Sequence, residues 1–330
     1  MLFSIIIPVY NRELLLKRSL ESVLRQDYRP IQLIIVDNNS TDNSLLEANK
    51  FKKNERTDFI IDVLEEKYPG ACAARNKGLE YAKGEYVYFF DSDDEMSSNY
   101  LSDVHQIIQK SLKSPDIIVS NTRIVSERGV RRKRLFIKNP TIIDQILTGV
   151  YATQTIMYST SFIREIGKWN PHIKRWNDWE LGVRVIQKSK VSLHLKSCYH
   201  IIYSHPQSIT GTKYSASTSD LMEACSIVKK DLCKSPGPNT KRELQALGFR
   251  ILMLSAYIKK EGNVTQSLRI LSRSFKLLKT KKMIAIGRFL YLYISKGGRG
   301  SWLIARFCLR FVSAKNQDIE VKLYDGRDAF

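Results

Sequence analysis

Cysteine is scarce in this 330-residue chain: five residues, Cys72, Cys198, Cys225, Cys233 and Cys308, scattered and without a CxxC pair. An odd, unpaired set excludes a disulfide ladder and the usual zinc spacings, so reduced thiols are expected. Long apolar runs are missing too. The opening MLFSIIIPVYNR has no basic flank and breaks at Pro8, too short for a signal core or a membrane span. A cytosolic protein is expected. Glycine is late, the first being Gly70, so no glycine-rich phosphate loop follows the first apolar run. No internal repeat or low-complexity segment appears. Acidic residues are outnumbered, 33 against 53 Lys and Arg, giving a formal net charge of +20.

The charge is unevenly spread. Residues 211–330 hold 23 Lys and Arg against 9 Asp and Glu, about +14, which leaves about +6 on the longer first part. A basic C-terminal third can meet a membrane surface, a nucleic acid or a polyanionic substrate, and charge alone does not choose.

Strand-length apolar runs occur at 2–9, 31–37, 58–64 and 85–90, separated by segments with helical spacing. In RELLLKRSLESVLRQ, Leu16, Leu20, Val23 and Leu24 share one face; helices are also expected over 41–53 and 70–84. Near-continuous apolar strands alternating with helices imply an α/β fold with a parallel sheet covered on both faces. A helix is expected at 98–113 and strands at 116–125 and 191–204, with the basic run RRKR (131–134) in a loop or hairpin. Beyond about 215 the texture turns helical, at 218–233, 240–261, 264–280, 282–294 and 300–313. Two domains are expected, 1–214 and 215–330, the second basic and mainly helical.

In an open parallel sheet, ligands bind beyond the carboxyl ends of the strands. Here those ends read PVYNR, VDNNSTD and DSDD, which puts polar groups from three strands on one edge. Singly, each is ordinary turn or cap chemistry, and Ser40 or Asp42 serves equally as a cap for the helix at 42–53. DSDD is the sharpest. Asp91 and Asp93, two apart in an extended segment, point to one side, and with Asp94 they form a cluster that asks for a cation. A hard divalent ion fits, since Mg²⁺ takes one or two carboxylates and completes its shell with water and phosphates. Solvated loop charge or capping before SSNYL is the plain alternative. Downstream, RWNDWELGVRV (175–185) places Asp178 and Glu180 at a helix start beside Trp176 and Trp179. Acids there suit the helix dipole; one of them walled by tryptophan is also a candidate general base, with the ring as a sugar platform. His205, past a strand-like run, is a candidate ligand for metal or phosphate, or simply a surface histidine.

Five stretches, PVYNR (8–12), VDNNSTDNS (36–44), ARNKGLEYAKGEYVYFFDSDD (74–94), NDWELGVRV (177–185) and HPQSIT (205–210), occur in the order found in family 2 glycosyltransferases. The resemblance covers about residues 1–212. It implies a GT-A fold, a Rossmann-like and mostly parallel sheet followed here by a helical C-terminal region. It also implies an inverting enzyme that moves a sugar from a nucleoside diphosphate, typically UDP, to a saccharide or lipid-linked acceptor in cell-surface polysaccharide synthesis. By resemblance Pro8, Val9, Tyr10 and Asn11 line the nucleoside site and Asp37 binds the base edge. Arg75 approaches the nucleotide and Asp91 lies near the ribose, while Trp179 is a candidate sugar-site residue from its own place beside Asp178. The metal, Mg²⁺ or Mn²⁺, falls to Asp93 with Asp91 and His205, and the catalytic base to Asp178. Two positions depart from the pattern: the commoner VDDGS reads VDNNS, with Asn38 for the second acid, and the usual Glu before the base is Asn177.

Rivals lack their marks. A nucleotidyltransferase acting on sugar phosphates would carry a glycine-rich, basic loop where PVYNR stands, and a basic nucleic-acid-binding protein would show a stacking motif or reading module. No nucleic acid partner is expected, and the retained Asp37, Asp93 and Asp178 argue against a dead scaffold. Segments 283–294 and 301–312 mix bulky apolar residues with Arg and Lys. Packed helices explain them, and so does peripheral contact with a membrane through 215–330, at the inner face of the plasma membrane.

Overall fold

The computed structural model describes residues 1–126, 129, 131–205 and 212–311. In chain order the first elements are β1 (Phe3–Val9), α1 (Leu16–Leu24), β2 (Ile31–Asp37), α2 (Ser44–Phe51), β3 (Phe59–Glu65), α3 (Ala71–Tyr81) and β4 (Tyr86–Phe89). Then come β5 (Glu95–Met96), α4 (Tyr100–Gln109), β6 (Ile117–Val125), β7 (Arg131–Arg134), α5 (Ile142–Thr148), β8 (Ile156–Ser159), α6 (Thr160–Glu165), α7 (Asn177–Lys188) and β9 (Ser192–Tyr203). The chain continues with α8 (Thr218–Lys234), α9 (Thr240–Lys260), α10 (Val264–Leu278), α11 (Lys281–Ser295) and α12 (Ser301–Phe311).

Two compact units result, Met1–Lys138 with Tyr151–His205, and Asn139–Val150 with Pro206–Phe330. Residues 139–150 lie inside the stretch that the sequence pattern gives to the first domain, yet they join the second unit. The reason is chemical: Asp144 of α5 accepts an ion pair from Arg306 at 2.9 Å, and Arg250 of α9 donates to the Leu147 carbonyl.

In the first unit the strands form one sheet in the order β3-β2-β1-β4-β8-β6-β9-β5, with β7 beside β6. β1, β2, β3 and β4 are mutually parallel, as their unbroken apolar character predicts. Past β4 the sheet becomes mixed: β8 runs antiparallel to both β4 and β6. This four-residue strand, IMYS, is too short for its pattern to stand out in the sequence. RRKR forms β7, the return arm of a hairpin against the end of β6. β1 is buried on both faces. Its odd-numbered side chains, Phe3, Ile5 and Ile7, share a core with Leu16, Leu20 and Val23 of α1 and with Tyr100 and Val104 of α4. Its even face meets α3, where a Cβ on Gly78 would lie 2.5 Å from Ile6 Cγ2, so only glycine lets the helix seat this closely. Helices therefore cover both faces. The amphipathic pattern from Arg12 becomes helix only at Leu16, because residues 12–15 are spent on turns that tie down the site.

The second unit is built on α9, buried along most of its length. Each expected helical segment beyond 215 forms, within one to three residues at each end; 312 and 313 lie outside the described residues. The breaks follow capping chemistry. Asn263 accepts from the Gln266 amide to start α10, and Thr280 accepts from the Met283 amide to start α11. No helix among the described residues is long and apolar enough to cross a membrane.

Candidate active site

The carboxyl ends of β1, β2 and β4 are neighbours, with Val9 paired to Asp37 across the ladder. The loops that leave β1 and β2 are stitched to each other. The Asn11 amide donates to Ser40 Oγ at 3.1 Å, Asn11 Oδ1 accepts from the Thr41 amide at 2.8 Å, and the Arg12 amide donates to Ser44 Oγ at 2.7 Å. Asn11 and Asn39 adopt left-handed backbone, which asparagine tolerates better than most residues. Val9 is buried, Pro8 is half-buried, and Tyr10 stands 58% exposed at the strand end with its ring free to stack. Asp37 is buried. Its Oδ2 accepts from the Ser40 amide, while its buried Oδ1 has no hydrogen-bond partner among the described residues. An acceptor desolvated without a donor costs about 1–3 kcal/mol, a cost that a donor N–H reaching it would relieve.

Asn38, in place of the commoner acid, has a different task. Its amide donates to the Glu66 and Tyr68 carbonyls and its Oδ1 accepts from the Gly70 amide, which pins the 66–70 loop and with it the start of α3. An aspartate could accept but not donate there.

From α3, Arg75 reaches Asp91 Oδ1 at 3.0 Å, with its guanidinium 4.5 Å from the centre of the Trp169 ring. Trp169 is placed by Asn76, which exchanges two hydrogen bonds with the Trp169 backbone. The ARN stretch thus fixes the arginine and the ring beneath it. Arg75 is buried, and its Nε and Nη1 have no hydrogen-bond partner among the described residues. Gln154 donates to Asp91 Oδ2, so both oxygens of Asp91 are engaged.

Asp93 faces another way. Its Oδ2 lies 2.9 Å from His205 Nε2 and 3.3 Å from Arg12 Nε, while Arg18 donates to its carbonyl and stacks on Tyr203. The structure therefore brings Asp93 and His205 together and sets Asp91 against Arg75. No group of three or more His, Cys, Asp or Glu forms a ready metal cage among the described residues. Residues 206–210 of the HPQSIT stretch lie outside them.

The third acid of the run is one that sequence reasoning left without a role. Asp94 is buried, its Oδ2 2.6 Å from His200 Nε2 and its Oδ1 accepting from the Tyr203 amide. His200 Nδ1 lies 2.7 Å from the Tyr88 hydroxyl, which also reaches the Gln154 carbonyl. Burial pushes the Asp94 carboxyl up to about 6, against the pull of His200, and drives the Tyr88 phenol well above its ordinary value. This line of buried groups locks the DSDD turn to β9 and, through Gln154, to Asp91. The signal for it was Asp94 itself, a carboxylate more than the proposed chemistry required.

α7 starts at Asn177, after Trp176 in left-handed backbone, a conformation that costs a bulky residue about 1–3 kcal/mol. Contacts hold it. Cys72 and Asn76 of α3 reach the Ile173 carbonyl and the Trp169 backbone, and the Trp176 and Trp179 rings lie 5.4 Å apart. The two acids of the first turn separate in role. Glu180 is buried and forms a two-pronged ion pair with Arg184 at 2.6 and 2.8 Å. Asp178 is half-buried, with Oδ1 accepting from the Trp179 amide. The charges of Asp178 and Arg75 both act on the Cys72 thiol, pushed up to about 11 mainly by burial, and on the Tyr158 phenol. Asp178 and Arg75 thus both lie within electrostatic reach of Cys72 and Tyr158. Trp179 is 1% exposed, so it backs this wall rather than offering an open sugar platform.

Comparison with known proteins agrees with this arrangement. Residues 4–167 match the Glycosyl transferase family 2 description. Glycosyltransferase GlyG of Streptococcus pneumoniae is 34% identical over 120 residues, 36% of this chain and 38% of its own length. The GalNAc(5)-diNAcBac-PP-undecaprenol beta-1,3-glucosyltransferase of Campylobacter jejuni is 36% identical over 131 residues, 39% of this chain and 41% of its own. The match thus spans less than half of either relative. Among solved structures, Staphylococcus aureus TarS 1-349 in complex with UDP-GlcNAc superimposes with TM-score 0.70 at 18% identity, over 99% of this chain and 98% of that one. The mannosyltransferase PcManGT of Pyrobaculum calidifontis, solved with GDP-Man and Mn²⁺, gives TM-score 0.57 at 12% identity, over 94% and 88%. With a GT-A fold and the family match over the ends of β1, β2 and β4, this chain carries a family 2 glycosyltransferase domain over residues 4–167.

Proposed function

We propose that this chain transfers a sugar from a nucleoside diphosphate, a UDP-sugar, to an acceptor hydroxyl with inversion at the anomeric carbon. The acceptor is a saccharide or lipid-linked saccharide of the cell surface, and the reaction runs in the cytoplasm at the inner face of the plasma membrane. The observation that carries this reading is the division of the acids at the strand ends: Asp37 with a bare buried oxygen, Asp91 on Arg75, and Asp93 on His205.

In this reading Asp37 Oδ1 accepts the imide N–H of uracil, and Tyr10 stacks on the base, with Pro8, Val9 and Asn11 shaping the loop around it. Arg75, its guanidinium 4.5 Å from the centre of the Trp169 ring and paired with Asp91, keeps Nε and Nη1 for the nucleotide. Asp93 Oδ2 and His205 Nε2 offer one oxygen and one nitrogen donor 2.9 Å apart. That pair suits a divalent ion which takes its remaining ligands from a diphosphate and water. Such an ion, Mg²⁺ or Mn²⁺, would supply Lewis-acid stabilisation of the leaving diphosphate. Arg12, beside Asp93, adds positive charge at the same place. Asp178 takes the proton from the acceptor hydroxyl as its oxygen attacks, and the single displacement inverts the configuration. Glu180 has no such freedom, because Arg184 holds both its oxygens.

Asp178→Asn tests the assignment. Turnover should fall by about 10²- to 10⁴-fold, the usual worth of a general base, while UDP binding is retained. Undiminished turnover removes Asp178 from the reaction.

Names among the relatives support a lipid-linked acceptor, since the Campylobacter jejuni protein is named for an undecaprenol-linked saccharide. The basic residues of 215–330 suit an anionic membrane surface on which such an acceptor would lie.

A further inference from the structure

From residue 262 to 311 the chain carries eleven Lys and Arg and not one Asp or Glu. Within this stretch α11 divides cleanly. Met283, Gly287, Leu290, Tyr291 and Ile294 are buried against the rest of the second unit. A Cβ on Gly287 would lie 2.9 Å from Leu252 of α9 and Leu278 of α10, so the helix is seated closely by its small residue. On the other side Lys281, Lys282, Arg288, Phe289, Leu292 and Lys296 are exposed, Phe289 by 59% and Leu292 by 51%. At about 100° per residue these six fall within an arc of roughly 120°, and Lys281 to Leu292 spans about 17 Å along the axis.

Two further features show a built surface. The Phe289 ring stacks on Tyr293, with centroids 6.1 Å apart and planes 16° apart. Tyr293 is in turn held by its hydroxyl, which donates to the Arg299 carbonyl at 2.9 Å. The exposed phenyl ring is thus supported from behind, so little side-chain freedom remains to be lost on binding.

We propose that this face of α11 docks on an anionic lipid surface, with Phe289 and Leu292 entering the headgroup region and Lys281, Lys282, Arg288 and Lys296 meeting lipid phosphates. The chemistry selects this partner. A polyanion in solution would use the cations and leave Phe289 and Leu292 idle, whereas an acidic bilayer uses both kinds of group at once. With no acid in the stretch, nothing of its own sequence opposes approach to a negative surface, and each basic residue there is worth about fivefold in binding. The inference rests on the membrane contact proposed above and names the helix face that makes it.

The test is flotation of the full chain with phosphatidylglycerol vesicles and with phosphatidylcholine vesicles, for wild type, Phe289→Ser/Leu292→Ser and Lys281→Glu/Lys282→Glu. Acids in the first turn of a helix suit its dipole, so the charge reversal should keep α11 folded, and far-UV circular dichroism checks both variants. Expected is wild-type binding to phosphatidylglycerol alone, weakened at least about tenfold by either double variant. Wild type that ignores phosphatidylglycerol overturns the membrane contact itself. Wild type that binds, with both variants binding equally well, overturns the assignment to α11 and leaves the contact elsewhere in 215–330. Loss in the charge variant but none in Phe289→Ser/Leu292→Ser overturns the insertion of Phe289 and Leu292 and leaves a contact made by charge alone. The readout is vesicle binding, so none of these outcomes depends on sugar transfer.

Discussion

In the first unit, four carboxylates at strand ends and at the start of α7 are answered in place: Asp91 by Arg75, Asp93 by His205 and Arg12, Asp94 by His200, Glu180 by Arg184. In the second unit the described stretch from 262 onward is basic throughout, and much of that charge faces solvent, with one buried carboxylate, Asp144, answered by Arg306. The contrast separates two uses of charge. A reaction site needs its ionised groups held at fixed distances, which requires burial and therefore partners. A surface that meets a charged partner keeps its ions hydrated and loosely placed, which costs little and attracts over a Debye length of about 10 Å.

Substitutions that break this contrast should differ accordingly. Arg184→Met is expected to cost the most in folding, about 3–5 kcal/mol in chemical denaturation, because it strands the Glu180 carboxylate at 2% exposure. A loss under 1 kcal/mol would show that the first unit does not depend on its buried pairs. Tyr88→Phe comes next. It leaves His200 Nδ1 buried without its hydroxyl and should cost about 1–3 kcal/mol, with a matching fall in thermal midpoint. Lys276→Ala, on the exposed side of α10, should move stability by no more than about 0.5 kcal/mol. A large effect there would mean that the second unit also relies on its charge for folding.

Much of the fold could be read from the chain because β1, β2 and β4 are near-continuous apolar runs, each ending in a polar cluster. The same clusters pointed to the candidate site, since Asn, Asp and Ser at three strand ends have few other reasons to coincide. What escaped was whatever depends on partners far along the chain. His200 is 106 residues from Asp94, and nothing in CYHIIY says that its histidine meets a carboxylate. Trp169 lies under Arg75 only because Asn76 holds its backbone, and Asn38 secures a loop about thirty residues on. Trp179 looked like a sugar platform from its place beside Asp178, but helical geometry turns it inward, away from the acid it follows.

The central claim is that Asp93 and His205 bind the nucleotide diphosphate by way of a divalent ion, and titration calorimetry of UDP addresses it most directly. Wild type should bind UDP with Mn²⁺ and lose at least tenfold in affinity in EDTA, a difference of about 1.4 kcal/mol, whereas Asp93→Ala should bind weakly and alike in both. Equal affinity of wild type with and without the metal, or an Asp93→Ala variant as metal-dependent as wild type, would contradict the account.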